Sequence, residues 1–275
     1  MNLKKLVDDV ADCIQTRHFP STISLNLRSK FHMRYGQTLD VIEIEITSVC
    51  NLGCDNCDRS CGKEQAPTNE LMTVEQIKKF IDQCIQAKKR WYKIKVLGGE
   101  PTTHPDWLAI LGLLKNYRDE YNPHARLELI TNGYGPAVTK RLALVPSGVN
   151  INNTSKTSSI QPTFTTYNVA PCDLPEYAGA DYLKGCGIPQ ICGMGLTRYG
   201  YYMCGAGASV DRVFGLGLGI RELTEVTSKS LRRTRSALCR YCGHFKSGNT
   251  ALAISPSWEK AYAGYAEQRP VLPLF

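Results

Sequence analysis

The sequence contains no apolar run long enough to cross a membrane. Its longest such stretch, around residues 108–114, falls far short of the ~20 residues that a spanning helix needs. No apolar segment of the secretory type follows the first residues, MNLKKLVDDV, so we expect a cytoplasmic protein. We find no internal repeat. With 43% hydrophobic and 21% charged residues, the 275-residue chain has a globular composition, long enough for one barrel-sized domain or two smaller ones.

Acidic residues are outnumbered, which leaves a formal net charge of +8. Part of the basic excess lies late in the chain, at Lys229, Arg232, Arg233, Arg235, Arg240 and Lys246. A basic patch can bind anions or nucleic acid, but no aromatic-interleaved RNA-binding motif accompanies this one. We therefore favour a solvated helix face, and expect neither a nucleic-acid partner nor a membrane partner.

Cysteine, in contrast, is abundant, with 12 residues. Thiols in a chain without a secretion signal are typical of metal ligands more than of disulfides. Cys50, Cys54 and Cys57 have the spacing C-x3-C-x2-C and directly follow a strand-like segment at 41–47. Thiolates this close in sequence converge on one centre only if the chain wraps round it as a loop. Three ligands on a four-iron cluster leave one iron open, and an open metal position is where chemistry takes place.

This cysteine loop resembles the cluster loop of radical S-adenosylmethionine (SAM) enzymes. Two further matches follow in the same order, each after a predicted strand: Gly98-Gly99-Glu100-Pro101 and Thr131-Asn132-Gly133. The resemblance covers residues 41–155 and implies a [4Fe–4S] cluster whose open iron chelates the amino and carboxylate groups of SAM. Reduction of SAM then yields a 5′-deoxyadenosyl radical, which takes a hydrogen atom from the substrate.

The same resemblance implies SAM-binding roles for Asn132 and for the segment after the second strand. Gly98 and Gly99 allow backbone to approach a ligand closely, and Glu100 is a candidate acceptor for the SAM ammonium group or ribose. One departure from the family is Asn56, which stands where an aromatic residue usually packs near the adenine. We keep Asn56 as a candidate cofactor-binding residue.

Strand and helix patterns alternate along residues 41–152. The patterns predict strands at 41–47, 92–97, 126–131, 148–152 and 163–169. They predict helices at 3–14 and 137–144, and a helix that begins at a capping box formed by Thr73 and Gln76. A further helix is predicted to begin at His104, with Leu108, Leu111, Leu114 and Tyr117 on its buried face. The expected fold class is α/β, a partial (truncated) parallel β/α barrel of the radical SAM type followed by a small α+β twitch-like module. The expected domains are an N-terminal helical extension at 1–40, the barrel at 41–170, and the module with its tail at 171–275.

Alternation within the predicted strands separates an apolar face from a polar one. Helices cover the outer face of a parallel barrel, so Ile42, Ile44 and Ile46 should point outward. The interior then receives Glu43, Glu45, Lys93, Lys95, Glu128, Asn150 and Asn152. Unpaired charges there would cost on the order of several kcal/mol each, so these groups either pair with one another or meet a polar ligand. The second alternative favours a hydrophilic substrate.

A second group of cysteines follows the predicted barrel, at Cys186, Cys204, Cys239 and Cys242. The last two form a C-x2-C pair, which is typical of metal ligation. Residues 196–203 predict a β-hairpin with its turn at Tyr199-Gly200. Over residues 186–242 this arrangement resembles the twitch domain, a module whose four cysteines bind one auxiliary [4Fe–4S] cluster. Two alternatives stay open: Cys192 or Cys172 in place of Cys186, and a zinc ion on the same four thiolates.

Five cysteines fall outside both groups. Cys13 and Cys84 lie in predicted helices and are expected in the core, whereas Cys61 gives no clear signal. Cys172 and Cys192 flank the module, where a thiol could return a hydrogen atom to a substrate radical, as a radical epimerase requires. The alternative for both is a small buried hydrophobic side chain. His244 follows Cys242 and is a candidate neighbour of the second cluster.

The function that these patterns favour is a radical SAM oxidoreductase acting on a polar small molecule such as a sugar, a cyclitol or a nucleotide-like compound. The second cluster would take up the electron left on the substrate, and an external donor such as flavodoxin or ferredoxin would supply electrons. A radical SAM epimerase and a peptide-modifying maturase are the alternatives within the enzyme class. A non-catalytic metal-binding protein is the alternative of another class.

Overall fold

The structure is a computed structural model that describes residues 39–61, 66–158, 167–184, 186–245 and 254–275. The predicted helix at 3–14 with Cys13, the N-terminal extension as far as residue 38, and the first half of the predicted strand at 163–169 lie outside this range. The cysteines within it are all free thiols. Among the helices in these ranges, none combines the length and the apolar character that a bilayer crossing requires.

The described residues form one mixed sheet with helices packed against it, in the order β4-β3-β2-β1-β5-β6. The strands are β1 Val41–Thr47, β2 Lys93–Gly98, β3 Arg126–Thr131, β4 Asn150–Asn153, β5 Met194–Thr197 and β6 Gly200–Tyr202. The helices are α1 Val74–Gln86, α2 Trp107–Tyr121, α3 Pro136–Leu142, α4 Ile188–Ile191, α5 Gly205–Phe214, α6 Ser228–Leu238 and α7 Pro256–Glu267. All strand pairs are parallel except β5–β6. The predicted α/β class with a partial parallel β/α barrel is confirmed.

Alternation along β1 places apolar side chains under the helices, as predicted. Ile42, Ile44 and Ile46 are fully buried and belong to the same core as Ile77 and Phe80 of α1. The predicted capping box starts α1, because the Gln76 amide donates to Thr73 Oγ1 at 3.1 Å and the Thr73 amide donates to Gln76 Oε1 at 3.0 Å. The outer face of the sheet is therefore closed by helix packing.

The opposite face of the sheet carries the predicted charged side chains, and most of these charges are paired. Glu43 accepts from Lys95 Nζ at 3.1 Å and from Arg59 Nη2 at 2.6 Å, and Lys93 Nζ lies 3.0 Å from Glu128. Of the two alternatives raised by the sequence, pairing within the protein is the one observed for these residues.

Three local predictions were wrong. Leu108 is 37% exposed, and Trp107 and Ile110 occupy the buried positions instead. Asn150 and Asn152 are exposed because β4 is the edge strand of the sheet. Residues 167–169, the described part of the expected fifth strand, are not in a strand. In each case the local pattern was compatible with more than one tertiary environment.

The predicted hairpin forms, but it continues the sheet of the first strands. β5 runs parallel to β1, with Ile42 opposite Met194 and Ile44 opposite Leu196, and β6 pairs with β5. Its two-residue turn is Arg198-Tyr199, one position earlier than predicted, since Thr197 pairs with Gly200. The second half of the chain thus completes one edge of the sheet, while the domain boundary near residue 171 stays a prediction.

The inner face of β5 is covered by α5. Gly195 is in register with Glu43 and so shares its face. A Cβ at Gly195 would lie 2.8 Å from the Gly205 amide nitrogen, so a side chain there would push the start of α5 off the sheet. This close packing brings Cys204, the member of the second group that is the N-cap of α5, next to the inner face of the barrel.

Gln83 of α1 ties the hairpin and the segment before α6 to the outer helices. Its Oε1 accepts from the Tyr201 hydroxyl at 2.8 Å and from the Leu223 amide at 3.1 Å. Its Nε2 donates to the Arg221 carbonyl at 3.0 Å. The side chain is buried, so the loss of these bonds leaves polar groups without partners.

We predict that Gln83→Leu lowers the free energy of unfolding by about 3 kcal/mol, since buried groups left without partners cost about 1–3 kcal/mol each. The matched control is Gln86→Leu, on the exposed side of the same helix, with an expected change within about 0.5 kcal/mol. Urea unfolding of both variants measures the difference. Equal midpoints for the two would show that Gln83 does not link these elements.

Candidate functional site

The first three cysteines lie on a loop that leaves the carboxyl end of β1. Cys54 is buried, and Cys50 and Cys57 are half-buried. The Leu52 amide donates to Cys50 Sγ at 3.4 Å, and the Ser60 amide donates to the Cys57 carbonyl at 2.8 Å. The three thiols thus lie on one short segment at this end of the sheet. We call residues 48–58 the cysteine loop.

Gly98 and Gly99 pack directly beneath the start of this loop. The Gly99 amide donates to the Thr47 carbonyl at 2.8 Å, and the Glu100 amide donates to the Val49 carbonyl at 2.9 Å. A Cβ at Gly98 would overlap the Thr47 carbonyl oxygen, and one at Gly99 would lie 2.8 Å from Cys50 Cβ. The close approach predicted for these glycines is thus made to the protein's own cysteine loop, because only glycine leaves room for it.

Glu100 is fully buried, and both of its carboxylate oxygens are hydrogen-bonded within the protein. Oε1 accepts from Thr102 Oγ1 at 2.8 Å, and Oε2 accepts from Thr131 Oγ1 and the Asn132 amide, each at 2.9 Å. These bonds join the carboxyl end of β2 to that of β3. The carboxylate is therefore directed into the protein, and its role toward SAM stays a prediction.

Asn132 connects the end of β3 to the cysteine loop. Its Nδ2 donates to Asn51 Oδ1 at 2.8 Å and lies 3.8 Å from Cys50 Sγ, while its Oδ1 accepts from the Tyr134 amide at 2.8 Å. The Asn51 side chain in turn donates to the Tyr134 carbonyl at 2.8 Å. Asn51 was missed by the sequence analysis, since a polar residue inside a loop carries no periodic signal. Asn56 is half-buried on the same loop.

The second group of cysteines surrounds one pocket. Cys186, Cys204, Cys239 and Cys242 all line it, with Ile188, Met203, Leu238 and Phe245 among its apolar walls. The Cys204 sulfur caps α5 by accepting from the Gly207 amide at 3.3 Å. A helix N-terminus favours negative charge, so this position suits a thiolate.

Burial shapes the protonation of both cysteine groups. It raises the pKa of Cys50 to about 12 and that of Cys239 to about 11, and it raises the pKa of Cys204 and Cys242 as well. Cys57 differs, because a hydrogen bond from the Cys61 thiol lowers its pKa. Buried thiols of this kind become thiolates when a bound cation replaces their protons, so both groups fit a metal centre.

Four thiolates can hold either a four-iron cluster or a single zinc ion. Within the part of the chain that the structure describes, no three His, Cys, Asp or Glu side chains are gathered tightly enough to hold one metal ion. A zinc ion with Zn–S bonds of about 2.3 Å needs its sulfurs closely gathered round one point. In a four-iron cluster each thiolate binds a different iron, and the sulfurs lie further apart.

The two remaining candidate thiols lie in different places. Cys192 faces the charged inner side of the sheet, where Glu43, Lys95 and Arg59 act on its ionisation and burial raises its pKa to about 11. Cys172 lies instead beside Arg240 and Asp173. Neither lines the pocket formed by Cys186 and its three partners. Of these three cysteines, Cys186 is therefore the one that lines the pocket with Cys204, Cys239 and Cys242.

A contact between two side chains joins the cysteine loop to the second group. His244 Nε2 lies 3.7 Å from an Asp58 carboxylate oxygen, and these residues follow Cys57 and Cys242 closely in sequence. The His244 ring also packs against Tyr167 at 5.8 Å between centroids. The predicted proximity of His244 to the second group is observed, while the involvement of Asp58 could not be predicted because the two are distant in sequence.

Arg212 of α5 holds the segment that follows the cysteine loop. Its Nη2 donates to the Ser60 carbonyl at 2.8 Å and to the Arg59 carbonyl at 3.1 Å, and its Nη1 donates to the Tyr265 hydroxyl at 2.8 Å. The guanidinium is buried. A charged group buried this deeply is retained only with several partners, so its role here is to position the loop.

Comparison with known proteins agrees with this geometry. Residues 44–153, which run from β1 to the end of β4, match the family model described as Radical SAM superfamily. GTP 3′,8-cyclase of Campylobacter lari is 28% identical over 98 residues, which cover 36% of this chain and 29% of that protein. A probable GTP 3′,8-cyclase of Pyrococcus horikoshii is 33% identical over 100 residues, which cover 36% of this chain and 29% of that protein. The chain thus spans about three tenths of the length of these relatives.

Among solved structures, BtrN in complex with AdoMet and 2-DOIA aligns with 79% of this chain and 96% of that chain, at 16% identity and a TM-score of 0.45. The matched residues 44–153 contain the cysteine loop, the two glycines that pack beneath it and Asn132 beside Cys50. The match to the radical SAM superfamily model thus falls on the same residues that form the candidate site.

Proposed function

We propose that this protein cleaves SAM at a cluster held by Cys50, Cys54 and Cys57 and oxidises a polar small molecule. The family implies a [4Fe–4S] cluster and SAM. The observation that carries the proposal is the position of the three thiols. They lie on a loop at the carboxyl end of β1, against the ends of β2 and β3, and this is the edge of a parallel β/α sheet where ligands bind.

When bound, the cluster and SAM supply the radical chemistry, and the protein supplies position. The cysteine loop presents three thiols, and its residues 48–58 include no fourth cysteine. Gly98 and Gly99 let this loop sit on the end of β2, and Asn132 orients Asn51 and Cys50 at its rim. Residues 98–100 are the candidate SAM-binding groups of this segment, as the resemblance to the family implies.

The charged inner face supports a hydrophilic substrate. Glu43, Lys95 and Arg59 form a paired group on this face, and Cys192 adjoins it. A substrate that carries hydroxyl or phosphate groups can form hydrogen bonds with such pairs, whereas a lipid tail can form none. The class we propose is a sugar, a cyclitol or a nucleotide-like compound.

The pocket of Cys186, Cys204, Cys239 and Cys242 supports a second [4Fe–4S] cluster. Oxidation of an alcohol carbon would transfer one hydrogen atom to the radical derived from SAM, one proton to solvent and one electron to an acceptor. A second cluster in this pocket would be that acceptor, and the Asp58–His244 contact links it to the cysteine loop. An external electron carrier of the flavodoxin or ferredoxin type completes the scheme, which suits a reducing, cytoplasmic compartment.

We predict that the reconstituted protein forms 5′-deoxyadenosine from SAM and dithionite, even without substrate. Cys50→Ala should lower this rate by more than about 100-fold, because loss of a metal ligand exceeds the 10–100-fold cost typical of outer-shell changes. Cys84→Ala, which removes a core thiol outside both groups, is the control and should retain the activity. Liquid chromatography of the quenched reaction measures the product. Absence of deoxyadenosine from the wild type, with iron fully loaded, would favour a non-catalytic metal-binding protein.

We predict that Gly99→Ala reduces iron bound after anaerobic reconstitution, because the new methyl group would collide with the cysteine loop at Val49 and Cys50. Gly112→Ala is the matched control, since its Cβ meets nothing within 4 Å and lies in α2. That substitution should raise stability by up to about 1 kcal/mol through helix propensity and leave iron content unchanged. Iron and sulfide assays measure the cluster content of both variants. Equal iron in the two would contradict the packing of Gly99 against the cysteine loop.

A radical epimerase is the second candidate, and the position of Cys192 is the observation that favours it. Its raised pKa keeps the thiol protonated at neutral pH, the form that can donate a hydrogen atom. We predict that, in an epimerase, Cys192→Ala abolishes product while deoxyadenosine still forms, and that the wild type incorporates one solvent deuterium per product. Cys172→Ala, whose thiol lies beside Arg240, is the control. An oxidised product formed equally well by Cys192→Ala would support the dehydrogenase, and a peptide substrate would indicate a maturase.

A further inference from the structure

Helix α6 has two chemically distinct faces. Its sequence, SKSLRRTRSAL, contains four basic residues and no acidic one. Leu231, Thr234, Arg235 and Leu238 form the buried face. Lys229, Arg232 and Arg233 are exposed, as is Arg240 in the turn that follows. We call these four exposed residues the basic face.

The buried face of the same helix forms part of the second cysteine site. Leu238 lines the pocket together with Cys239, which directly follows the helix. Arg235 lies against Cys239, where its side chain hydrogen-bonds the sulfur. The basic face is therefore separated from the cysteine pocket by the thickness of one helix. No other helix of the described residues contributes both an end to this pocket and an acid-free basic surface.

The charges of the basic face are not matched within the described residues. None of its four side chains has a carboxylate within the 4.0 Å of an ion pair there, and Asp181 acts on Arg232 only at longer range. By contrast, Lys93, Lys95 and Arg59 on the inner face are all paired. A helix face that serves only for solubility usually mixes both signs of charge. One sign alone creates a field that attracts a partner of the opposite sign.

We propose that the basic face is the docking surface of an acidic one-electron carrier protein, which exchanges electrons with the second cysteine site. This inference rests on the proposed function, since it assumes that Cys186, Cys204, Cys239 and Cys242 hold a redox cluster. One electron passes between the carrier and the cluster, and no covalent bond forms or breaks at the surface. The carrier is oxidised when it supplies the electron and reduced when it removes one.

The second site is the better entry point for electrons on two grounds. The first site must keep one side free for SAM, so a docked protein would compete with the cofactor and the substrate. The second site has four thiols and needs no further ligand, so a helix can cover it permanently. The Asp58–His244 contact then joins the covered site to the cysteine loop.

Binding of oxidised flavodoxin, an acidic carrier, to the cluster-loaded protein tests the docking surface directly. We expect Arg232→Glu with Arg233→Glu to raise the dissociation constant at least about tenfold at low ionic strength, since repulsive charges weaken association and slow it. The wild-type affinity should fall as salt rises from about 0.05 to 0.3 M, because screening shortens the reach of exposed charges. The matched control is Lys78→Glu with Lys140→Glu, which changes the net charge equally on exposed positions of α1 and α3.

The rate of deoxyadenosine formation provides the second measurement. With reduced flavodoxin as donor, the Arg232/Arg233 variant should need about tenfold more carrier for half the maximal rate. With dithionite, which needs no docking surface, its rate should equal that of the wild type. If the wild type formed no deoxyadenosine with dithionite, the proposed function would be refuted. The flavodoxin-binding measurement would then still test the docking surface by itself. The docking proposal would be overturned if both double variants bound the carrier equally well. It would also be overturned if the wild type bound a single-stranded oligonucleotide more tightly than flavodoxin.

Discussion

The carboxylate of Glu100 accepts hydrogen bonds from Thr102, Thr131 and the Asn132 amide. These bonds join the carboxyl ends of β2 and β3 and align them with each other. Gly98 and Gly99, directly before it, allow the start of the cysteine loop to rest on this junction. The position of the three thiols depends on both features. A buried carboxylate is costly unless every oxygen is hydrogen-bonded, and here the bonds that satisfy it are also those that align the strands.

Charge on the inner face of the sheet is accommodated in a related way. Glu43 is held by Lys95 and Arg59, and Arg59 extends from the segment just after the cysteine loop. Arg212 of α5 holds the carbonyl groups of that same segment. The loop is thus secured from the sheet side and from the helix side, by cations that belong to distant parts of the chain. Because each cation has several partners, loss of one contact would leave the others buried and unsatisfied, which favours a single arrangement of the loop.

The two groups of cysteines belong to one sheet system. β5 pairs with β1, and Cys204 lies between the hairpin and α5, so the second group is built onto the edge of the same sheet. The Asp58–His244 contact and the covering helix α6 follow from this continuity. A protein built in this way can hold two redox centres at a fixed separation, and a fixed separation is what electron transfer between them requires.

Sequence patterns alone determined the first four strands, the capping box of α1, the cysteine spacing and the apolar outer face of β1. These features depend on neighbouring residues, whose periodicity and propensity are local properties. Only the tertiary structure decided that Leu108 and Asn152 face solvent, that Glu100 turns inward, and that Cys186 rather than Cys192 joins the second group. It also decided that Asp58 meets His244 and that the hairpin extends the first sheet. Each of these depends on which distant segment packs against a given side chain, and packing partners far apart in the chain leave no periodic trace in the sequence.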